Sequence, residues 1–240
     1  MELLIDIGNS YIKCGLFSNH KIDKFYSFKS NEDVDLNVLK NEKFDVVILS
    51  SVVNDLTEIV INKIKQISDA KIVKIKQLKK NIVLKVKAKK DEIGDDLYAD
   101  LIALKHQYHH SSIVFDIGTV SKVLAIDDKG AFIGASFFSS FSLATRSMSN
   151  NTSLLPKISL SIATTPIGKD TIECINNGVY YSLLFAVKGF IKEYQKVLGK
   201  KINVIITGGD CILFNHRIKN AIIDPYLTLY GIHYIYQESK

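Results

Sequence analysis

The strongest constraint on this chain is a phrase written twice. Residues 3–17 read LLIDIGNSYIKCGLF and residues 113–127 read IVFDIGTVSKVLAID. Each is an apolar strand that ends in Asp-Ile-Gly, passes through small polar residues and enters a second β-rich run. A strand–turn–strand unit of this kind exposes backbone N–H groups at its turn, and glycine there lets an anion come close. The acids that end the two strands, Asp6 and Asp116, are of a type that holds a metal ion or orients its water. One copy alone would read as an ordinary hairpin with an Asp-x-Gly turn. A second copy about 110 residues later implies two similar halves facing each other across a cleft, an arrangement that suits a nucleotide.

The surrounding pattern repeats as well. In the first half, strands are expected at 2–6, 11–17 and 21–28, then a helix near 33–40 and an apolar strand at 44–53. A helix follows at 55–67, capped by Asn54 or Asp55, with Leu56, Val60, Ile64 and Ile67 on one face. Short strands at 71–75 and 81–88 lead to a helix at 95–108, whose first turn carries two acids where the helix dipole favours them. In the second half, strands are expected at 112–116, 121–127 and 131–138, with a DDKG turn at 127–130. Helices at 140–150 and 170–198, a strand at 202–207 and helices at 210–220 and 226–238 complete the chain. Three strands followed by alternating helices and strands, twice over, is an α/β pattern of mixed sheets. The boundary falls near QYHHSS, giving an N-terminal half of residues 1–110 and a C-terminal half of 111–240.

Composition narrows the partners. A chain of 240 residues with 47% hydrophobic residues can bury a large core. No apolar run reaches the length of a spanning helix, and LLIDIG begins too early for a signal or transit peptide, so a cytoplasmic protein without a membrane partner is expected. The net charge is +6, yet only Arg146 and Arg217 among 31 basic residues are arginines, which argues against a nucleic-acid partner. The basic stretch at 74–90 reads as a solvated strand and its loops. Cys14, Cys174 and Cys211 show no metal-site spacing and read as reduced, mostly buried thiols. His106, His109 and His110 read as surface loop residues without metal logic.

Three further constellations carry chemistry. TGGD at 207–210 ends a buried strand and opens an expected helix, so Gly208 and Gly209 would let a phosphate or a flat ring lie against the backbone. Asp95 and Asp96 follow Gly94 at a helix start, and read either as helix-capping acids or as a general base for a substrate hydroxyl. IGKDT at 167–171 reads first as a capping turn, with Thr171 also able to bond a small ligand. Lys122, just past the second glycine turn, would either reach a phosphate or be solvated.

Together these segments resemble the type III pantothenate kinases of the sugar kinase/actin/heat-shock ATPase superfamily. DIGNS at 6–10 is similar to the family's Asp-x-Gly-Asn-Thr, and ILSSVVN at 48–54 to its Ser-Ser-Val-Val strand. IGDDLYAD at 93–100 takes the place of Gly-Ala-Asp-Arg, and DIGTVSK at 116–122 that of Asp-Phe-Gly-Thr-Ala-x-Thr. GAS at 134–136, TSLLP at 152–156, IGKDT, TGGD and DPYLTLYGIHYIY at 224–236 follow in order. The resemblance implies an actin-like ATPase fold of two ribonuclease H-like halves, and ATP-dependent phosphorylation of pantothenate, the first step towards coenzyme A. It implies that Asp6, Ile7, Gly8, Asn9, Ser10, Tyr11, Ile12 and Lys13 form the first ATP loop, with Thr119, Gly208 and Gly209 also contacting ATP. Asp96 would be the catalytic base, and Gly94, Asp95, Asp96, Leu97 and Thr171 would line the pantothenate site. Asp116 would hold a monovalent cation, K⁺ or NH₄⁺, while Mg²⁺ accompanies ATP; a homodimer is expected.

The chain departs from this pattern at four places. Leu97 replaces an Arg, Lys122 replaces a Thr, Ser139–Ser140 replace Pro-Gly and Ser10 replaces a Thr. Lys122 is the expected source of the charge lost at position 97. The same departures leave open a nucleotide-binding paralogue with a regulatory role, or a kinase for a different hydroxyl acceptor.

Overall fold

Strand β1 (Glu2–Ile7) is buried along almost its whole length, as its apolar run requires of a strand covered on both faces. It pairs antiparallel with β2 (Tyr11–Ser18), which pairs in turn with β3 (Lys21–Lys29), an edge strand whose charges face water. On its other side β1 runs parallel to β4 (Val46–Ser51). Helix α1 (Asn54–Ile67) buries Leu56, Val60, Ile61 and Ile64, and β5 (Lys71–Lys74) completes a sheet of order β3-β2-β1-β4-β5. Helix α2 (Asp95–Gln107) is buried from Tyr98 to Leu104. The fold comes from a computed structural model that describes residues 1–31, 33–78 and 80–240, so Lys79 of the basic stretch lies outside the described residues.

The second sheet repeats this topology. Strand β6 (Ser112–Asp116) lies between antiparallel β7 (Ser121–Ile126) and a parallel strand from much later in the chain. Then come β8 (Phe132–Phe138), α3 (Phe141–Asn151), α4 (Thr171–Leu198), β9 (Asn203–Thr207) and β10 (Ala221–Ile223), giving the order β10-β9-β6-β7-β8. Helix α4 stops at Gly199, whose φ of 94° ends the helix without cost to a side chain. Ile113, Phe115, Val179, Leu183, Val187 and Ile206 build the core of this unit, while Leu3, Ile5, Ile12, Val47, Leu49 and Val60 build that of the first. Helix α5 (Leu227–Glu238) packs on α2 so closely that a Cβ on Gly231 would lie 1.9 Å from the Ala99 carbonyl oxygen.

The chain falls into two units: Met1–His109 with Gly130–Phe132 and Tyr226–Lys240, and His110–Lys129 with Ile133–Pro225. A single cut near residue 110 therefore misses that the C-terminal helix groups with the first unit. Four local expectations also change. The helix near 33–40 is a short 3-10 turn at Asn37–Asn41. Neither Asn54 nor Asp55 caps α1; Val53 holds the cap position, and Thr57 Oγ1 donates to its carbonyl at 2.7 Å. Residues 81–88 form no strand, only a bridge from Leu84 to Phe132, because their alternation belongs to a lysine-bearing loop. The helix at 210–220 is absent: a 3-10 turn at Cys211–Phe214 gives way to His216 and Asn220 at φ near 60°, which an α-helix does not accept, and then to β10.

Candidate active site

In the first unit the glycine turn sits where the sheet puts it. Ile7 and Ile12 flank the turn and bury their side chains completely, which leaves Gly8, Asn9, Ser10 and the Tyr11 backbone at the surface. Gly8 N–H donates to the Tyr11 carbonyl at 3.0 Å and Ser30 Oγ donates to the Gly8 carbonyl at 2.7 Å, so the loop is held from both sides. A side chain at Gly8 would press on the Tyr11 carbonyl at 3.2 Å. Asp6, 8% exposed, lies in register with Lys13 on β2 and with Ser50 on β4. Burial, with the Asp6 charge second, pushes the Cys14 thiol up to about 12, so that cysteine is not a nucleophile.

The acids at the head of α2 differ in their surroundings. Gly94 occupies the cap position without a side-chain cap, and Asp95 and Asp96 begin the helix. Asp95 is buried and lies 3.6 Å from the Lys80 ammonium. Burial raises its pKa, against which the Lys80 charge works. Asp96 is half-buried, and its Oδ1 rests where a Cβ on Gly94 would approach to 2.8 Å. The absence of a side chain at 94 thus makes the space for this carboxylate. Leu97 is half-buried beside it. A cavity of about 610 Å³ opens at this helix end, lined by Ser51, Asn54, Lys76, Lys80, Lys90 and Asp95 among others. Lys80 also lies over the Tyr98 ring at 5.4 Å, and Tyr98, whose hydroxyl burial pushes up to about 12, accepts from Asn81 N–H.

The second unit carries a matching row. Asp116 lies in register with Lys122 on β7 and with Thr207 on β9, as Asp6 does with Lys13 and Ser50. Lys122, 7% exposed, brings its Nζ to 2.8 Å from Asp116 Oδ2. The other oxygen, Oδ1, rests against Gly208, where an added Cβ would come within 2.5 Å of it. Gly208 takes φ 96°, and a Cβ there would also strike the Ile117 carbonyl at 2.4 Å. Ile117 N–H donates to Thr207 O and Asp210 N–H to Ile117 O, so the 116–119 turn and TGGD form one structure. Ser140 Oγ donates to the Thr119 carbonyl at 2.6 Å and accepts from Leu143 N–H, fixing the turn to the head of α3. The Ser121, Thr207 and Ser50 hydroxyls are buried with no hydrogen-bond partner among the described residues.

The expected site residues therefore fall into two groups, each inside one unit. Asp6 to Lys13 and Gly94 to Leu97 lie in the first unit; Asp116, Thr119, Thr171, Gly208 and Gly209 lie in the second. Gly209 and Thr171 are exposed, and Thr171 opens α4 behind a cap in which Asp170 accepts from Glu173 N–H, while Glu173 accepts from Lys169 N–H. TGGD does not open a helix, so no helix dipole acts there. Lys122 is buried rather than solvated, and its ammonium pairs with Asp116. The monovalent ion expected at Asp116 accordingly does not fit, because one oxygen holds the chain's own cation and the other packs on backbone. Cys174 is exposed, whereas Cys14 and Cys211 are buried; His106 lies on α2, paired with Glu238 at 2.8 Å. Sequence reasoning missed Lys76 and Lys80, since only the fold carries that loop back to Asp95.

Comparison with known proteins gives this geometry a relationship. The family model described as type III pantothenate kinase matches residues 2–193. A protein named type III pantothenate kinase from Dictyoglomus turgidum is 31% identical, over 98% of each chain. One of the same name from Petrotoga mobilis is 32% identical over 100% of this chain and 99% of its own. Among solved structures, a conserved Baf family protein from Campylobacter jejuni aligns with a TM-score of 0.63 at 17% identity, over 98% of each chain. Component A of the (R)-2-hydroxyglutaryl-CoA dehydratase of Acidaminococcus fermentans aligns at 0.53 and 13% identity, over 100% of this chain and 99% of its own. These structures share the fold: two mixed sheets flanked by helices, the actin-like ATPase arrangement.

Proposed function

The chain belongs to the type III pantothenate kinase family, and from that membership we propose that it transfers the terminal phosphoryl group of ATP to the hydroxyl of pantothenate, opening coenzyme A synthesis. The observation that carries the reading is the head of α2, where Asp96 is held at a glycine without a side chain beside a lysine-lined cavity. Pantothenate is an anion with one primary hydroxyl. Lys76, Lys80 and Lys90 suit its carboxylate, and Asp96 accepts the hydroxyl proton as the new O–P bond forms and the bond to ADP breaks. Lys80 pairs with the buried Asp95, and the half-buried Asp96 serves as the base. Gly8, without a side chain, lets phosphate oxygens approach the exposed Asn9–Ser10 turn, and Lys13 adds a positive charge. Thr119, Gly208 and Gly209 are the further residues assigned to the nucleotide, and Thr171 to the acceptor. The Mg²⁺ that accompanies ATP would be held by Asp6, where it would neutralise developing phosphate charge.

A homodimer fits the exposed apolar side chains of the second unit, with Leu154 at 90% and Phe185 at 59% exposure. A cytoplasmic site fits three free cysteines, and no helix of the described residues is long and apolar enough to cross a membrane. Leu97 favours a second reading, a nucleotide-binding protein that has lost turnover. ADP release measured with ATP, with and without pantothenate, separates the two. Release that requires pantothenate supports the kinase, whereas ATP binding without turnover supports the second reading. Turnover preferred with another hydroxyl compound in direct competition would assign a different acceptor.

A further inference from the structure

We propose that the Lys122 ammonium is a built-in replacement for the monovalent cation at Asp116, so that this chain works without K⁺ or NH₄⁺. The inference rests on the kinase reading for its catalytic consequence, but its structural part stands on the second sheet alone. The β6/β7 register sets Lys122 directly opposite Asp116, and residues opposite in register share a sheet face. The contact is 2.8 Å, between side chains 8% and 16% exposed. A primary ammonium has the charge and donor chemistry of NH₄⁺, delivered on a tether. The carboxylate carries one negative charge, and Lys122 already balances it. A second cation at Asp116 Oδ2 would meet that ammonium in a poorly solvated place, where like charges repel strongly. Oδ1 lies beside Gly208, where an added Cβ would come within 2.5 Å of it, so backbone takes up part of the space on that side.

The repeat supports the same conclusion. In the first unit Lys13 occupies the register position opposite Asp6, with Ser50 on the far side. In the second, Lys122 and Thr207 take those places around Asp116. A lysine opposite the strand-end acid is thus a position this fold accommodates in both halves, and at Asp116 the lysine closes into an ion pair.

The test uses the full-length protein in choline-based buffer free of K⁺, Na⁺ and NH₄⁺, with KCl or NH₄Cl exchanged for choline chloride at constant ionic strength. Pantothenate-dependent ADP release and the thermal midpoint are both followed. For the unaltered chain, the rate should change by less than about twofold and the midpoint should not respond, since a site filled by its own lysine gains nothing from added ion. Lys122→Thr should become dependent on the ion, gaining about tenfold or more in rate with K⁺ or NH₄⁺ but not with choline, and its midpoint should rise with them. An unaltered chain activated about tenfold by K⁺, or stabilised by it specifically, overturns the proposal. If Lys122→Thr does not fold, Lys122→Met replaces it, and the measurements on the unaltered chain decide the matter alone. Failure of the kinase reading looks different: ADP release would not depend on pantothenate under any ion, while the midpoint still reports on Asp116.

Discussion

Asp96 and Gly94 are coupled sterically, because the carboxylate rests in the space that a side chain at 94 would fill. Asp96→Asn keeps the shape and removes the proton acceptor, so kcat should fall by about 10²- to 10⁴-fold with the thermal midpoint unchanged. Gly94→Ala should act more subtly. Its Cβ would meet only Asp96 Oδ1 at 2.8 Å, the movable end of a side chain, and Leu97 at 3.8 Å, so the fold should tolerate it. The base, however, is displaced, and kcat should drop by roughly 10- to 100-fold while stability holds. Steady-state kinetics beside a thermal melt separates the two effects; a Gly94→Ala protein with full kcat would show that the carboxylate's resting place does not matter. At this scale the motifs of the sequence single out Asp96, Gly94 and Asp116 as candidates. It did not reveal Lys80, whose partner Asp95 lies fifteen positions away across a loop that holds only a β-bridge and a 3-10 turn. Nor did it reveal the partner of Lys122, because hairpin register decides which side chains meet and a turn of uncertain length precedes it.

Among elements, the contact of α2 with α5 holds the helix that carries Asp95 and Asp96. Gly231 lets the helices approach until backbone touches backbone, and Thr228 Oγ1 donates to the buried Asp100 at 2.7 Å. Gly231→Ala would place a methyl group 1.9 Å from the Ala99 carbonyl oxygen, which only a shift of α5 can relieve. Overpacking of this kind costs about 3 kcal/mol, so calorimetry should show the thermal midpoint lowered by about 6 °C or more. An unchanged midpoint would mean that α5 is not held this tightly. Most elements were legible because strand alternation and helix faces were clean, as in α1 and in the two copies of the hairpin. Those that were not share a cause. Residues 81–88 alternate like a strand but pair only at Leu84, and residues 211–220 carry apolar side chains in a backbone that turns through left-handed His216 and Asn220. In both, tertiary contacts override local pattern.

For the whole molecule, the chain's end belongs with its beginning, since Tyr226–Lys240 groups with Met1–His109. Leu227, Leu229, Ile232 and Ile235 of α5 are each 2% exposed or less. Their burial together contributes about 6–12 kcal/mol, comparable with the total stability of a domain. A chain ending at Pro225 should therefore lose the cooperative unfolding of its first unit, seen by circular dichroism and by proteolysis within residues 1–109. A truncated protein that melts like the full chain would contradict this grouping. The repeated hairpin made the two-part plan visible in the sequence, but the return of the last helix was not, because nothing local in residues 226–238 names its partner. We propose that this fold carries a kinase whose base is Asp96. Mass spectrometry of the acceptor after incubation with ATP and Mg²⁺ tests it most directly. The account predicts pantothenate carrying one added phosphoryl group, matched mole for mole by ADP and nearly absent with Asp96→Asn. Unmodified pantothenate from a folded protein that binds ATP, or an undiminished yield from Asp96→Asn, would contradict it.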